Sequence, residues 1–276
     1  MILSTHGVIA SQIQSFVGLL DTYPNAAAAY SVRRLRIAYT GSAIRVRRSS
    51  DNAEQNIGFD GSGNLDTSAL TTFCSSTNGF VTTWYDQSGN GINATQTTAS
   101  NQPQIVSSGS IINVNSKPCI QFDGTTDRLE TTLISSSTEV SIISVSRHTP
   151  SSAYSPIIGV GLDNGYALTT QQNKYNLFYR GVADQRTTND ALSTQALIFA
   201  YTKSATNQQI FANDVSYQNF TPATMYAPTT SSRIGTYDIT AELYNGTQQE
   251  LIVYANSQLS NRIGMQTNIN TYYAIY

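Results

Sequence analysis

The chain has 276 residues with a formal net charge of −2, and only 12% of them are charged. Ser (33), Thr (34), Asn (22) and Gln (19) together supply 108 positions. This profile excludes a whole-protein field for drawing in DNA or RNA, a coiled coil built on charged heptads and, with 39% hydrophobic residues, a disordered chain.

No run of 18 apolar residues occurs, so the sequence offers no membrane-spanning helix. Thr, Tyr, Val and Ile suit a pleated sheet, while Asn, Gly and Ser suit turns. Uncharged polar side chains are therefore expected to replace charges on the surface of a β-rich protein. The first residues, Met1 to Gly7, lack the basic stretch and long apolar core of an export signal.

Residues 1–22 are weakly apolar and read as an N-terminal appendage that docks elsewhere, ahead of a single domain over 23–276. Pro24 opens a predicted helix over Asn25 to Arg36, because Ala28, Val32, Leu35 and Tyr39 repeat at helical spacing. Ala43 to Arg48 alternates and predicts a half-buried strand. Arg33, Arg34, Arg36, Arg45, Arg47 and Arg48 form a basic block without interleaved aromatics. It is read as framework, paired with carboxylates such as Asp51 and Glu54.

Asp60, Ser62, Asn64 and Asp66 carry oxygen at every second residue, the start of a calcium-loop pattern that lacks the closing bidentate Glu. Apart from that weak calcium candidate, no cofactor is expected. Asp66 also caps a short predicted helix reaching Phe73. Trp84, Tyr85, Asp86 and Asn90 end a strand in a tight turn. Aromatics beside Asp and Asn could stack on and hydrogen-bond a sugar, or fill the core and hold the turn.

From residue 80 onward short strands recur at 8–12-residue spacing: Phe80–Tyr85, Cys119–Phe122, Val140–Ser146, Pro156–Val160, Tyr166–Thr170, Asn176–Tyr179, Ala196–Tyr201, Gln209–Ala212, Ser232–Gly235 and Glu250–Tyr254. That spacing predicts a mainly β jelly-roll sandwich with a few short helices. A last helix is expected from Ser257 to about Asn270. Cys74 and Cys119 read as free, buried thiols. With only His6 and His148, far apart in the chain, the sequence gives no support to a catalytic triad or His-based zinc site. Five glutamates, Glu54, Glu130, Glu139, Glu242 and Glu250, are the scarce carboxylates a glycosidase would need.

The stretch Ala28 to Leu35, then Tyr39 to Asp51, then Trp84 to Gly91, continuing through Ala94-Thr95-Gln96 and Phe122-Asp123-Gly124, resembles the catalytic domain of α-L-arabinofuranosidase B, glycoside hydrolase family 54. The later half is similar to laminin-G and concanavalin A-like lectin sandwiches. The resemblance implies a Glu nucleophile two residues before an Asn-Leu-Phe segment. Here Asn176-Leu177-Phe178 is preceded at that spacing by Lys174. The implied Asp acid/base matches Asp238, after Gly235. The family's adjacent cysteine pair has no counterpart. A lysine cannot form the glycosyl ester of a retaining mechanism, so the sequence leans away from an enzyme.

Related domains occur in phage structural proteins, and Thr5 to Ser11 is similar to their N-termini. The sequence-level expectation is thus a bacteriophage virion surface protein: a capsid decoration protein, head fibre or tail-associated adhesin. It would be made in the host cytoplasm and released by lysis. It would join other virion proteins through residues 1–22, assemble as a homo-oligomer such as a trimer, and offer a lectin-like face to host glycans, with no role for nucleic acid or membrane. The alternatives are a retaining arabinofuranosidase or related hydrolase, and a cellular carbohydrate-binding module.

Overall fold

The computed structural model describes residues 16–151, 153–161, 164–179, 186–203, 207–220, 226–238 and 242–276. Residues 1–15, most of the expected docking segment, lie outside them. Among the described residues the protein is mainly β, with a nineteen-stranded antiparallel sheet folded nearly closed as a sandwich.

Three strands form its middle. Val140–His148 lies between Ala196–Lys203 and Asn245–Tyr254, with Ile143 opposite both Phe199 and Ile252. All three are buried along almost their whole length, which fits their runs of apolar and β-branched residues. Asn207–Ala212 and Val215–Phe220 extend the ladder on one side. On the other, Asn245–Tyr254 also pairs with Ala28–Ser31 and with Ile120–Asp123.

From Ile120–Asp123 the ladder passes through Gln104–Ser107 to Gly79–Trp84, Ile44–Arg48 and Glu54–Ile57. Through Ala94–Thr95 it turns into Leu129–Thr131, Ser232–Ile234, Ser155–Val160, Tyr166–Gln171, Lys174–Tyr179 and Arg186–Asp190. Gln248 ties the two parts together. Its buried amide donates to the Ile157 carbonyl at 3.0 Å.

The ten strands expected from residue 80 onward are present, most of them one to five residues longer at an end. Thr67–Cys74 is the expected helix, with Asp66 Oδ1 accepting from the Ala69 amide at 2.9 Å. The last helix runs Arg262–Tyr273, starting later than Ser257 because a 3-10 turn, Leu259–Asn261, precedes it. Cys74 and Cys119 are buried and free.

The helix expected over Asn25 to Arg36 is instead the strand Ala28–Ser31, buried at every position. Its helical spacing reflected continuous burial, because both faces of this strand are covered. Leu19 and Leu20, from the expected appendage, are buried in the core, in the short helix Leu19–Thr22.

The core is rich in tyrosine. Tyr30, Tyr166, Tyr175, Tyr201, Tyr244, Tyr254 and Tyr273 are almost wholly buried. A buried phenol usually finds a hydrogen-bond partner. Tyr30 donates to the Ile92 carbonyl and Tyr254 to the Tyr23 carbonyl, both at 2.6 Å.

Candidate functional site

A half-open cavity of about 280 Å³ lies on the outer strands, lined by Tyr154, Pro156, Ala167, Thr169, Phe178, Tyr237 and Glu242. Strand periodicity builds its floor. Ala167 and Thr169 share one face of Tyr166–Gln171, and Phe178 stands opposite Ala167 on the neighbouring strand. The wall is a row of rings. Phe178 meets Tyr154 edge-on at 6.4 Å and Tyr237 edge-on at 5.9 Å between centroids.

Two glycines position the far side. Gly235, at φ +84°, turns the chain out of Ser232–Ile234 into Thr236–Asp238, and a Cβ there would meet the Phe122 ring at 2.6 Å. A Cβ at Gly159 would meet Tyr237 Cδ2 at 2.7 Å, so the bare backbone of that strand lets the tyrosine lie against it. Thr236–Asp238 pairs with Glu242–Leu243 as a small hairpin, with Asp238 opposite Glu242 after a register shift beyond Thr236. The Thr236 hydroxyl donates to the Glu242 carbonyl at 2.5 Å and locks that hairpin. The cavity thus offers aromatic faces, a threonine hydroxyl and a carboxylate. Those groups can stack on a small polar ring and hydrogen-bond its edge.

The residues singled out in the sequence lie in several places. Asp238 sits at the rim strand by its backbone register with Glu242. Lys174 begins the strand that carries Phe178, but its ammonium donates to Asp190 Oδ1 at 2.5 Å and to the Thr188 carbonyl at 2.7 Å. It does not line the cavity.

Trp84, Tyr85, Asp86 and Asn90 lie together, away from the aromatic cavity. Trp84 is fully buried against Tyr30. Tyr85 donates to Asn56 at 2.9 Å. Asp86 Oδ1 accepts from the Ala29 and Ser88 amides, and Oδ2 from Ser88 Oγ and the Ile92 amide. Asn90 donates to the Ala26 and Ala27 carbonyls. Between them Gln87, wholly buried, donates to the Ser31 and Arg33 carbonyls and accepts from the Leu35 amide. The hydrogen-bonding groups of this turn are directed at the chain's own backbone, clamping the segment around Ala28–Ser31.

At the calcium-like stretch, Asp60 Oδ1 accepts from the Ser62 and Asn64 amides and Oδ2 from Asn64 Nδ2. Asn64 Oδ1 accepts from Tyr272, and Asp66 caps its helix. Among the described residues no group of three or more His, Cys, Asp or Glu side chains is placed to hold a metal.

The arginine block is framework, as expected. Arg33 chelates Glu250, Arg45 bonds Glu54 and Arg48 bonds Asp51. The aromatic cavity itself was missed. Its lining comes from five separate strands, and the signal that could have located it was the concentration of Tyr and Phe around the Gly-bearing strands after residue 150.

Comparison with known proteins places the resemblance. Residues 21–125 match the family model "Alpha-L-arabinofuranosidase B, catalytic". A probable α-L-arabinofuranosidase B of Aspergillus flavus is 35% identical over 96 residues, covering 33% of this chain and 19% of that protein. The chain therefore corresponds to a minor part of the curated relatives it matches.

A crystal structure of an arabinofuranosidase complexed with arabinofuranosyl-α-1,2-xylobiose superposes with a TM-score of 0.69 at 16% identity. The match covers 88% of this chain and 62% of that one. A glutamate-to-glutamine variant of a glycoside hydrolase family 54 arabinofuranosidase, soaked with 4-nitrophenyl α-L-arabinofuranoside, gives 0.64 at 19% identity with the same coverages. At these identities the superpositions establish the fold.

These matches overturn the virion reading, and with it the virion location, the docking to virion partners through residues 1–22, the homo-oligomeric virion assembly and the host-glycan role of the lectin-like face. The physical reason is partly compositional. The uncharged polar residues were taken for a particle's exterior, yet Gln87, Gln96, Gln102, Gln195, Gln208, Gln248, Gln249 and Gln266 are all buried. They belong to the interior of this sandwich. The proteins this chain resembles are glycoside hydrolases, which is the alternative to the virion reading.

Proposed function

We propose that this domain is a glycoside hydrolase of the arabinofuranosidase type, acting on a terminal pentofuranosyl residue held in the aromatic cavity. The observation that carries this reading is the cavity itself: three aromatic rings and Glu242 around about 280 Å³. Its volume falls just below the ~300 Å³ at which typical ligand pockets begin. That size suits one sugar ring rather than a chain. In this reading Tyr154, Phe178 and Tyr237 stack on the ring. Asp238, which the resemblance implies as the acid/base, protonates the leaving oxygen.

The test is hydrolysis of 4-nitrophenyl α-L-arabinofuranoside by the purified chain. Release of nitrophenolate is expected. Asp238→Asn should slow turnover of a substrate with a poor leaving group, such as an arabinofuranosyl xylobiose, by about 10²–10⁴-fold. A folded wild-type chain that turns over neither substrate would overturn the proposal.

A further inference from the structure

We infer that the groove between the helix Leu19–Thr22 and the turn at 88–90 is a second carbohydrate site, separate from the aromatic cavity and suited to a pair of neutral sugar rings. It is half-open, encloses about 540 Å³ and shares no lining residue with the aromatic cavity. Asp21, Asn25, Arg36, Ser88 and Asn90 bring polar groups to its wall. Pro24, Ala27, Ala38 and Ala255 are small and keep the space between them open.

Two opposite charges line this groove without meeting. The half-buried Arg36 donates through Nη1 to the Ser88 carbonyl at 2.6 Å. The Asp21 carboxylate accepts from the Gly18 amide at 2.8 Å and from the Ile37 amide at 2.9 Å. No ion pair among the described residues includes either side chain. Elsewhere in the same arginine block, Arg33, Arg45 and Arg48 each meet a carboxylate. Arg36 is tied to backbone instead, which leaves Nε and Nη2 as donors. Asn90 is fixed in the same way. Its amide N–H groups go to the Ala26 and Ala27 carbonyls, and its Oδ1 is left as an acceptor. The polar groups are thus held in place before any ligand arrives, which lowers the cost of binding.

Their chemistry selects the ligand. Arg36 requires an acceptor, whereas Asp21 and Asn90 Oδ1 require donors. A sugar hydroxyl is both, and its bonds to the charged groups belong to the stronger class. An anion would meet the Asp21 carboxylate, and a cation the Arg36 guanidinium. A small zwitterion would rest on exposed ion pairs, which are weak in water. The volume, about 540 Å³ against about 280 Å³ for the aromatic cavity, gives room for a second ring.

The two sites also lie toward opposite ends of one element. Ala255 directly follows the strand Asn245–Tyr254, and Glu242 comes shortly before it. At about 3.3 Å per residue that strand is about 30 Å long. Separate stretches of one polysaccharide can therefore occupy both, and the groove raises the effective concentration of the chain at the cavity. Binding in the groove does not depend on the hydrolase reading.

The experiment runs the full chain through native gels containing soluble arabinoxylan and, in parallel, polygalacturonate, with each variant checked for folding by thermal melting. Arabinoxylan should retard the wild type. Arg36→Gln removes the charged donor, and Ala38→Leu fills the groove from an exposed position. Each should weaken the retardation about tenfold, the share of a hydrogen bond to a charged group. Phe178→Ala, in the aromatic cavity, should still be retarded. A wild type that is not retarded, or one retarded no more than Arg36→Gln and Ala38→Leu, would overturn the site. Stronger retardation by polygalacturonate would show an anion site and overturn the neutral ligand. If Arg36→Gln does not fold, Ala38→Leu decides. A chain retarded by arabinoxylan yet inactive on arabinofuranosides would overturn the hydrolase reading alone.

Discussion

Asp127 shows how a single side chain can carry a pH dependence in this fold. It is nearly buried in the turn after Ile120–Asp123, and its Oδ2 accepts from the Asp123 amide at 3.0 Å. Burial, and then the neighbouring Asp123 charge, push its carboxyl up to about 7. Asp123 is itself partly buried, which alone would raise it, but the hydroxyl of Thr125 and the amides of residues 125–127 hold it below the usual carboxylate range. The signs are opposite. Asp123 stabilises the fold above the ordinary aspartate value near 3.9 and loses that contribution on acidification. Asp127 is neutral in both states at low pH; its penalty begins above about 3.9, grows to about pH 7 and is then constant. Asp127→Asn, which keeps an acceptor for the Asp123 amide, should therefore gain about 1–3 kcal/mol over the parent at pH 8 after solvent screening, and little at pH 4. Urea unfolding at the two pH values measures it, and an equal gain at both would refute the assignment.

At the scale of elements, the site depends on how closely the hairpin Thr236–Asp238 and Glu242–Leu243 can approach the strand Ser155–Val160. Gly159 sets that distance. A methyl there would stand 2.7 Å from Tyr237 Cδ2 and 3.0 Å from Tyr237 Cα, so the ring and its backbone must both give way. Gly159→Ala should raise KM for the aryl arabinofuranoside roughly 3- to 10-fold, the share of a displaced aromatic contact. It should lower stability by about 1–3 kcal/mol as overpacking does. Steady-state kinetics with a parallel melt checks both, and an unchanged KM would show that Tyr237 does not contact the sugar.

The same scale explains what the sequence could and could not disclose. Strands such as Val140–His148 were legible because turn residues bound an apolar run. Ala28–Ser31 was misread because a four-residue strand covered on both faces has no period of its own to display. Glu242 was visible only as one of five scarce carboxylates. Its place beside the cavity comes from Tyr237 on the strand it pairs with, Phe178 on another strand and Tyr154 just before a third, contacts between distant parts of the chain that no local spacing encodes.

At the scale of the whole molecule, the chain is closed by one buried ion pair. Ser31 stands opposite Glu250 on the ladder that joins the first strand to the last. Arg33, just beyond, chelates Glu250 through Nε at 2.7 Å and Nη2 at 2.9 Å. The guanidinium also donates to Asn268 at 2.9 Å and lies 5.0 Å from the Tyr272 ring centroid, both on the final helix. Ser31 and Tyr273 complete the acceptor demands of the carboxylate. Three parts distant in sequence thus meet at one charge pair, with Glu250 wholly inaccessible and Arg33 7% exposed. Removing one partner strands the other charge in the core, so Arg33→Met or Glu250→Met alone should destabilise the fold by about 3–5 kcal/mol. The pair itself is a poor source of net stability, because both charges must first leave water. The double variant Arg33→Met/Glu250→Met should therefore be more stable than Arg33→Met alone, and chemical denaturation of the four proteins of the cycle measures the coupling. Single losses that simply add in the double variant would show that Arg33 and Glu250 act independently, and that the final helix is held by its apolar face alone.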